Sequence, residues 1–321
     1  YFTSLSLGTE YEANVIASVP NMTPRTVAIV VISAIIFGLT ARLFAWSVRT
    51  VKSLYGRFIT NYLARALVGA LVVGVAFAKG AAWGADIPFI VVNHLEGHLY
   101  ANKIGLEDFA PPAVVSLVSG GNTLLVHMAD WGDYRVLGAT IDDAVGEAYD
   151  KIARVLGLGY PGGAKVEAMA KNGNKEALRF PRVNFEDNPF DFSFSGVKTS
   201  VINYIHSKEQ KQEKYSKEDV AASFTEAVCE VLSTKAAEAT LKNNTDTLVV
   251  AGGVAANSFL RDKLKKDCEK RKLSLFLPEL KYCGDNAAMI AAQGFFEYKK
   301  GNVAKTDLNA YANMSIENPM F

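Results

Sequence analysis

From residue 87 onward the chain alternates short β-branched runs with longer stretches of helical period, the pattern of an α/β protein. Pro88 to Asn93 (PFIVVN) reads as a strand running directly into a helix that carries His94 and His98. Residues 113 to 119 (AVVSLVS) predict a second strand and Thr123 to His127 a third, joined by Gly120-Gly121-Asn122 in a tight hairpin. Thr140-Ile141-Asp142-Asp143 resembles a capping box opening a helix, along which Val145, Tyr149, Ile152 and Leu156 repeat at helical spacing. That helix ends at Gly157-Leu158-Gly159-Tyr160-Pro161, and Gly162-Gly163 starts another through about Lys171. Residues 182 to 217, polar with Pro and Asn early and Lys and Glu later, predict a loop and then a helix. Val220 to Leu241 reads as a long amphipathic helix, Thr247 to Ala251 as a buried strand, Gly252-Gly253 as the turn into a helix from Ala255, and Ala287 to Phe296 as an apolar helix. AVVSLVSGGN and TLVVAGGVAAN both run from an apolar strand through a small residue to Gly-Gly, which suggests two related phosphate- or nucleoside-facing turns.

Two apolar runs nearer the start imitate membrane segments. Residues 26 to 41 carry no charge, but 16 residues fall short of the ~20 that span a bilayer. Residues 66 to 78 are shorter and contain Gly69 and Gly74, so both runs read as buried strand or helix of the α/β core. No cleavable signal pattern is evident.

At 321 residues and 50% hydrophobic content a large core forms, and length favours two lobes. A net charge of +1 gives no global field for a polyanion, so any nucleic-acid contact is local. Cys229, Cys268 and Cys283 are far apart without CxxC spacing, which fits a reducing, cytoplasmic compartment and excludes a thiolate zinc site.

Candidate chemistry starts with His94 and His98, which leave one helix face four residues apart and can reach one cation. HExxH places its general base directly after the first histidine, whereas Glu96 lies two residues on, roughly 200° round the helix. A metal pair is therefore compatible with the spacing and a zincin protease is not; two metal-free, hydrogen-bonded histidines fit the spacing equally. A third ligand comes from elsewhere, and Asp285, just before the apolar helix, reads from sequence alone as an N-cap.

Ser119, Gly120, Gly121, Asn122 and Thr123 could cradle a phosphate through backbone N–H groups and short polar side chains, although an ordinary tight turn has the same signature. No Walker loop and no dinucleotide fingerprint is present. The second Gly-Gly strengthens the phosphate reading because it opens the helix carrying Asn257. Asp143, Glu147, Asp150 and Arg154 share a helix face, either solvated with an Asp150–Arg154 pair or turned to a cleft, where Asp150 would meet a ribose hydroxyl or bound magnesium. Lys263, Lys265, Lys266, Lys270, Arg271, Lys272, Lys299 and Lys300 are solubilising or touch a phosphate backbone; the sequence does not separate the two.

Together these residues resemble the bacterial tRNA adenosine threonylcarbamoyltransferase family, once described as sialoglycoprotein endopeptidases. The resemblance runs from about Leu67 to Ala310 through NHLEGHLYAN, LVSGGNTLLV, GATIDDAVGEAYDKIARVLGLGYPGG, FPR with DFSFSGVKTS, VAASF, VAGGVAANSFLR and YCGDNAAMIAAQG. It implies an actin-like, sugar-kinase-like ATPase fold: a first lobe over 1–105 completed by 286–321, and a second over 106–285 holding most of the nucleotide site. It also implies one iron or zinc ion on His94, His98 and Asp285, which overturns the cap reading of Asp285. Val118, Ser119, Gly120, Gly121 and Asn122 would line the phosphates of ATP or threonylcarbamoyl-AMP, with magnesium an accompanying ion. Asp150, Gly163, Glu167 and Asn257 would hold the adenosine; the family usually has Asp where this chain has Glu167. The implied reaction transfers threonylcarbamoyl from its adenylate to the exocyclic amine of the adenosine beside the anticodon in tRNAs reading ANN codons. The implied partners are tRNA, a smaller inactive paralogue of the same fold and a P-loop ATPase, with no membrane.

The departures lie near the N-terminus. The family's acidic, Ser/Thr-rich turn is absent, its histidine-containing helix is not recognisable among residues 20 to 60, and Leu63-Ala64-Arg65-Ala66-Leu67 replaces a Gly-Pro-Gly approach. No catalytic residue is named from the first 60 positions. A non-catalytic nucleotide-binding scaffold and a metalloendopeptidase remain as alternatives.

Overall fold

In a computed structural model the described residues are 74–104, 109–305, 307–308, 311 and 314–317. The chain divides into two compact units, Tyr1–Phe77 and Ala78–Phe321, and nearly all described residues belong to the second. The apolar run 26–41, residues 63–67 and the divergent first 60 positions lie outside them. Among the described residues no helix is long and apolar enough to cross a membrane.

The expected α/β class holds. A five-stranded sheet runs in the order β3-β2-β1-β4-β5, made of β1 (Ala113–Val118), β2 (Thr123–Asp130), β3 (Asp133–Ala139), β4 (Thr247–Ala251) and β5 (Ser274–Phe276). β1, β2 and β3 form an antiparallel meander, while β4 pairs parallel with both β1 and β5. The parallel pairing requires a crossover, supplied by α3 (Val145–Val155), α4 (Gly162–Ala170), α5 (Ser195–Gln210) and α6 (Lys217–Lys242).

β1 is buried at every position because both faces of the sheet are covered. Val114 and Val118, with Leu248 and Val250 of β4, face the core built with α3 and α6. Ala113, Val115 and Leu117, with Val249 and Ala251, face a second core containing Leu99 of α2 (His94–Tyr100), Phe109 and Ile316. The period-2 alternation thus serves two cores. α6 corrects the amphipathic expectation: residues 220 to 225 are all buried, so the helix is covered on most sides. Its packing against α4 and against α7 (Ser258–Arg271) accounts for this.

Other local readings also change. Pro88 to Asn93 is not a strand; its one ladder contact among described residues is the Phe89–Ala304 bridge. The described end of the second apolar run is not buried core: α1 (Val75–Ala85) begins there with Ala76, Phe77 and Ala78 exposed. The capping box does not form either. α3 starts at Val145, whose N–H donates to Thr123 Oγ1 at 2.8 Å, while the Thr140 hydroxyl donates to Asp143 O. Finally, Gly253–Ala256 is a 3-10 turn, and α7 begins after Asn257, which caps it by accepting from Leu260 N at 3.1 Å.

Candidate active site

His94 and His98 sit on α2, a helix of only seven residues whose start is fixed by Asn93, its Oδ1 accepting from Leu95 N at 2.9 Å. The Nε2 atoms of His94 and His98 lie 3.4 and 3.2 Å from one oxygen, Asp285 Oδ1. The two rings meet edge to face with centroids 4.9 Å apart. Asp285 is available for this because its neighbour caps the next helix. Asn286 Oδ1 accepts from Met289 N at 2.9 Å and opens α9 (Ala287–Lys299), which follows the single turn α8 (Leu280–Cys283). The cap reading was one residue off.

One ligand atom from each of the three residues lies within 4.8 Å of the others. Two imidazoles and a carboxylate are the donor set of catalytic zinc sites and of non-haem iron(II) centres, and both leave positions open. His98 is buried while the His94 and Asp285 side chains are exposed, 55% and 77%, so the site opens on one side. Hydrogen bonds from His94 and His98 hold the Asp285 carboxyl well below the usual carboxylate range. The same Asp285 contact raises the His94 imidazole.

Glu96 points away, as its helical offset requires. It is 6% exposed and accepts from Gln293 Nε2 of α9 at 3.0 Å, so it cannot act as the general base of a zincin. Burial and the nearby Glu297 carboxylate push its carboxyl up to about 7, against opposing pulls from Lys300 and Gln293. A folded value above the unfolded one means its stabilising contribution is complete below pH ~4.5 and is lost as the pH rises to about 7, at most about 3 kcal/mol. In metal-free protein, urea denaturation across pH should therefore show Glu96→Gln gaining about 2 to 3 kcal/mol on the parent between pH 4.5 and 7.5. A difference that stays constant across that window would mean Glu96 titrates normally.

The two glycine turns lie side by side. β1 and β4 are parallel neighbours with Leu117 opposite Ala251, so Ser119 to Asn122 and Gly252-Gly253 leave adjacent strands at their carboxyl ends, where ligands of open α/β sheets bind. Gly252 has φ +95°, and a Cβ there would lie 2.3 Å from Val118 O. Ser119 N–H donates to Asn122 O, closing the first turn, and Gly146 N–H of α3 donates to Ser119 O at 3.2 Å. A Cβ on Gly146 would meet Gly120 Cα at 2.7 Å, so the turn rests directly on the start of α3. Around the Cβ directions of Gly120, Gly121 and Gly253 there is open space. The fully buried Val118 offers only backbone to this region, and Thr123, expected as a ligand donor, is consumed in capping α3.

The four expected adenosine residues form a connected rim. Asp150 Oδ1 accepts from Gly162 N at 2.6 Å, joining α3 to α4, and no Asp150–Arg154 pair forms among the described residues. Gly163 follows, with open space where a side chain would stand. One turn on, Glu167 Oε1 accepts from the Ser258 hydroxyl at 2.6 Å and from its N–H at 3.1 Å. Ser258 is next to Asn257. Asp143 instead holds Lys151 and Lys198, each at 2.6 Å, and Glu147 pairs with Lys151. Of the basic run, Lys263 is paired with Glu226 and Arg271 with Asp267.

Arg261 escaped the sequence reading. Its Nε donates to Ala255 O, in the second glycine turn, and its Nη2 to Pro278 O and Cys283 Sγ, two residues before Asp285. Nothing local in the sequence marks that link. Ser258 and Gln293 were likewise missed, because their partners are 91 and 197 positions away.

The model of the TsaD family, tRNA N6-adenosine threonylcarbamoyltransferase, matches residues 67–292. The tRNA N6-adenosine threonylcarbamoyltransferase of Clostridium botulinum strain 657 is 49% identical over 250 residues, covering 78% of this chain and 74% of that protein. The protein of the same name from Clostridium perfringens strain SM101 is 50% identical with the same coverage. Among solved structures, T. kodakarensis HypF superposes with a TM-score of 0.56 at 16% identity, over 73% of this chain and 40% of that one. Full-length HypF in a phosphate- and nucleotide-bound form gives 0.52 at 12% identity, over 67% and 36%. These likenesses to far longer chains bear on the fold alone.

Proposed function

The chain belongs to the tRNA N6-adenosine threonylcarbamoyltransferase family, and on that premise we propose that it transfers the threonylcarbamoyl group of threonylcarbamoyl-AMP to the exocyclic amine of the adenosine next to the anticodon in tRNAs reading ANN codons. The amine nitrogen forms a bond to the carbamoyl carbon, the bond from that carbon to the AMP phosphate oxygen breaks, and the amine gives up a proton. The fold is the actin-like, sugar-kinase-like ATPase type, with lobes proposed at 1–105 plus 286–321 and at 106–285.

One observation carries the reading: two imidazoles and a carboxylate 187 positions beyond His98 meet at a single oxygen. His94, His98 and Asp285 would hold one Fe(2+) or Zn(2+), which when bound supplies Lewis acidity to the carbamoyl carbonyl. The turn Ser119-Gly120-Gly121-Asn122, ending at Val118 backbone, would receive the donor's phosphate, with magnesium accompanying ATP. The rim of Asp150, Gly163, Glu167 and Asn257 would take the adenosine. Each of the three polar side chains has one oxygen engaged in fixing a helix start, which leaves its remaining polar atoms in a set orientation. tRNA, a smaller inactive paralogue and a P-loop ATPase are the proposed partners. Three free, buried cysteines are in keeping with a cytoplasmic setting.

Purified chain with both partners, tRNA, threonine, bicarbonate, ATP and zinc or iron should yield threonylcarbamoyladenosine in the digested tRNA, and His94→Ala should lower the yield at least ~100-fold. Nucleotide binding without product would favour the scaffold. Cleavage of a glycoprotein that disappears in His94→Ala would favour the endopeptidase.

A further inference from the structure

The three proposed metal ligands come from α2 and from the approach to α9, two helices that pack against each other. His94 and His98 are on α2, and Asp285 lies two residues before the first residue of α9. Whether one carboxylate oxygen reaches both imidazoles depends on how α2 lies along α9. That register is set where Gly97 and Glu96 of α2 meet α9. Gly97 packs so closely that a Cβ would lie 3.0 Å from Ile290 Cδ1, 3.6 Å from Met289 Cγ and 3.8 Å from Gln293 Oε1. Beside this contact, Gln293 Nε2 donates to Glu96 Oε2 at 3.0 Å, with the two residues 1% and 6% exposed.

We propose that Glu96 and Gln293 are positioning residues for the metal: their buried hydrogen bond, next to the glycine contact, locks α2 onto α9 in the register that brings His94 and His98 to Asp285. The size of the lever supports this. A slip of one residue is ~1.5 Å along a helix, whereas ligand distances at such a metal tolerate only about 0.2 Å. Glu96, one position beyond that of the HExxH base, is turned inward to hold the helix that carries the ligands. Gln293 is a good pin because it is one of the few buried polar groups on α9 and lies two turns beyond the Asn286 cap.

This inference rests on the metal reading, and cobalt(II) added to chelator-treated protein separates the two. The parent should bind one Co(2+) with a visible absorption band that His94→Ala abolishes; if it does not, the metal reading falls and this inference with it. Given that band, Gln293→Leu should weaken Co(2+) ~10- to 100-fold by chelator competition and shift the band at saturation. The exchanged pair, Glu96→Gln with Gln293→Glu, restores an acid-to-amide hydrogen bond and should restore both affinity and spectrum. If Gln293→Leu does not fold, Gly97→Ala tests the same register, because its Cβ would press on Ile290 at 3.0 Å and lie against Met289 and Gln293; a shifted band with unaltered helix content is expected. Parent-like affinity and spectrum in the folded variants, with only the thermal midpoint lowered, would reduce the pair to a stabilising contact and overturn the proposal.

Discussion

Asp285→Ala should leave purification with almost none of the parent's zinc or iron and with its fold intact. A four-ligand zinc site contributes ~10–16 kcal/mol of binding, so one ligand is worth about 3 to 4 kcal/mol, or roughly a thousandfold in affinity. The loss should be near that full value, because both imidazoles converge on the same Asp285 oxygen and no other carboxylate joins the cluster among the described residues. Compared metal-free, variant and parent should differ by about 1 to 3 kcal/mol, since the buried His98 imidazole loses its partner while Asn286 keeps α9 capped. Elemental analysis beside thermal unfolding reads both quantities. Full metal occupancy in the variant would show that the ligand set is wrong, and transfer activity should fall with the metal.

Gly252→Ala should be strongly destabilising, because a left-handed backbone and a main-chain clash coincide there. The backbone there is left-handed at φ +95°, and the new Cβ would fall 2.3 Å from Val118 O and 2.8 Å from its carbonyl carbon. These are main-chain atoms of the central strand and cannot swing aside. Strain of this kind costs about 1 to 3 kcal/mol. Displacing β1 adds to it, for a total of about 3 kcal/mol or more in chemical denaturation. Nucleotide affinity should fall with it, because the methyl pushes the two glycine turns apart. Gly253→Ala, one residue on with nothing within 4 Å, is the control and should stay within about 1 kcal/mol of the parent. If the two variants unfold alike, the close approach of the turns has no energetic weight.

Much of this was legible along the chain. β1, β4, α3 and α6 were read because apolar repeats report burial directly, and α4 and α7 from the glycine turns that precede them. β3 was missed: its burial alternates irregularly and Gly138 interrupts it, the latter because the Phe190 carbonyl passes 2.2 Å from where a Cβ would be. β5 is three residues long and carries no period. PFIVVN was overread, since an apolar β-branched run states a preference and a ladder needs a partner. At the site, the His94/His98 spacing was visible in the sequence, while Asp285 entered as a ligand only through the family resemblance. The ties from Asp150 to Gly162, Glu167 to Ser258 and Arg261 to Cys283 join separate helices or loops, and no local pattern encodes them.

The first glycine turn is clamped at both ends: Gly146 N–H holds Ser119 O, and the Thr123 hydroxyl, at the other end, holds the first residue of α3. A loop of two glycines would otherwise sample many shapes, and an incoming anion would have to select one of them against the entropy of the rest. Here the chain itself has already made that selection while folding. Capture should accordingly proceed with little change in amide exchange across residues 119–122, and its temperature dependence should reflect desolvation far more than ordering.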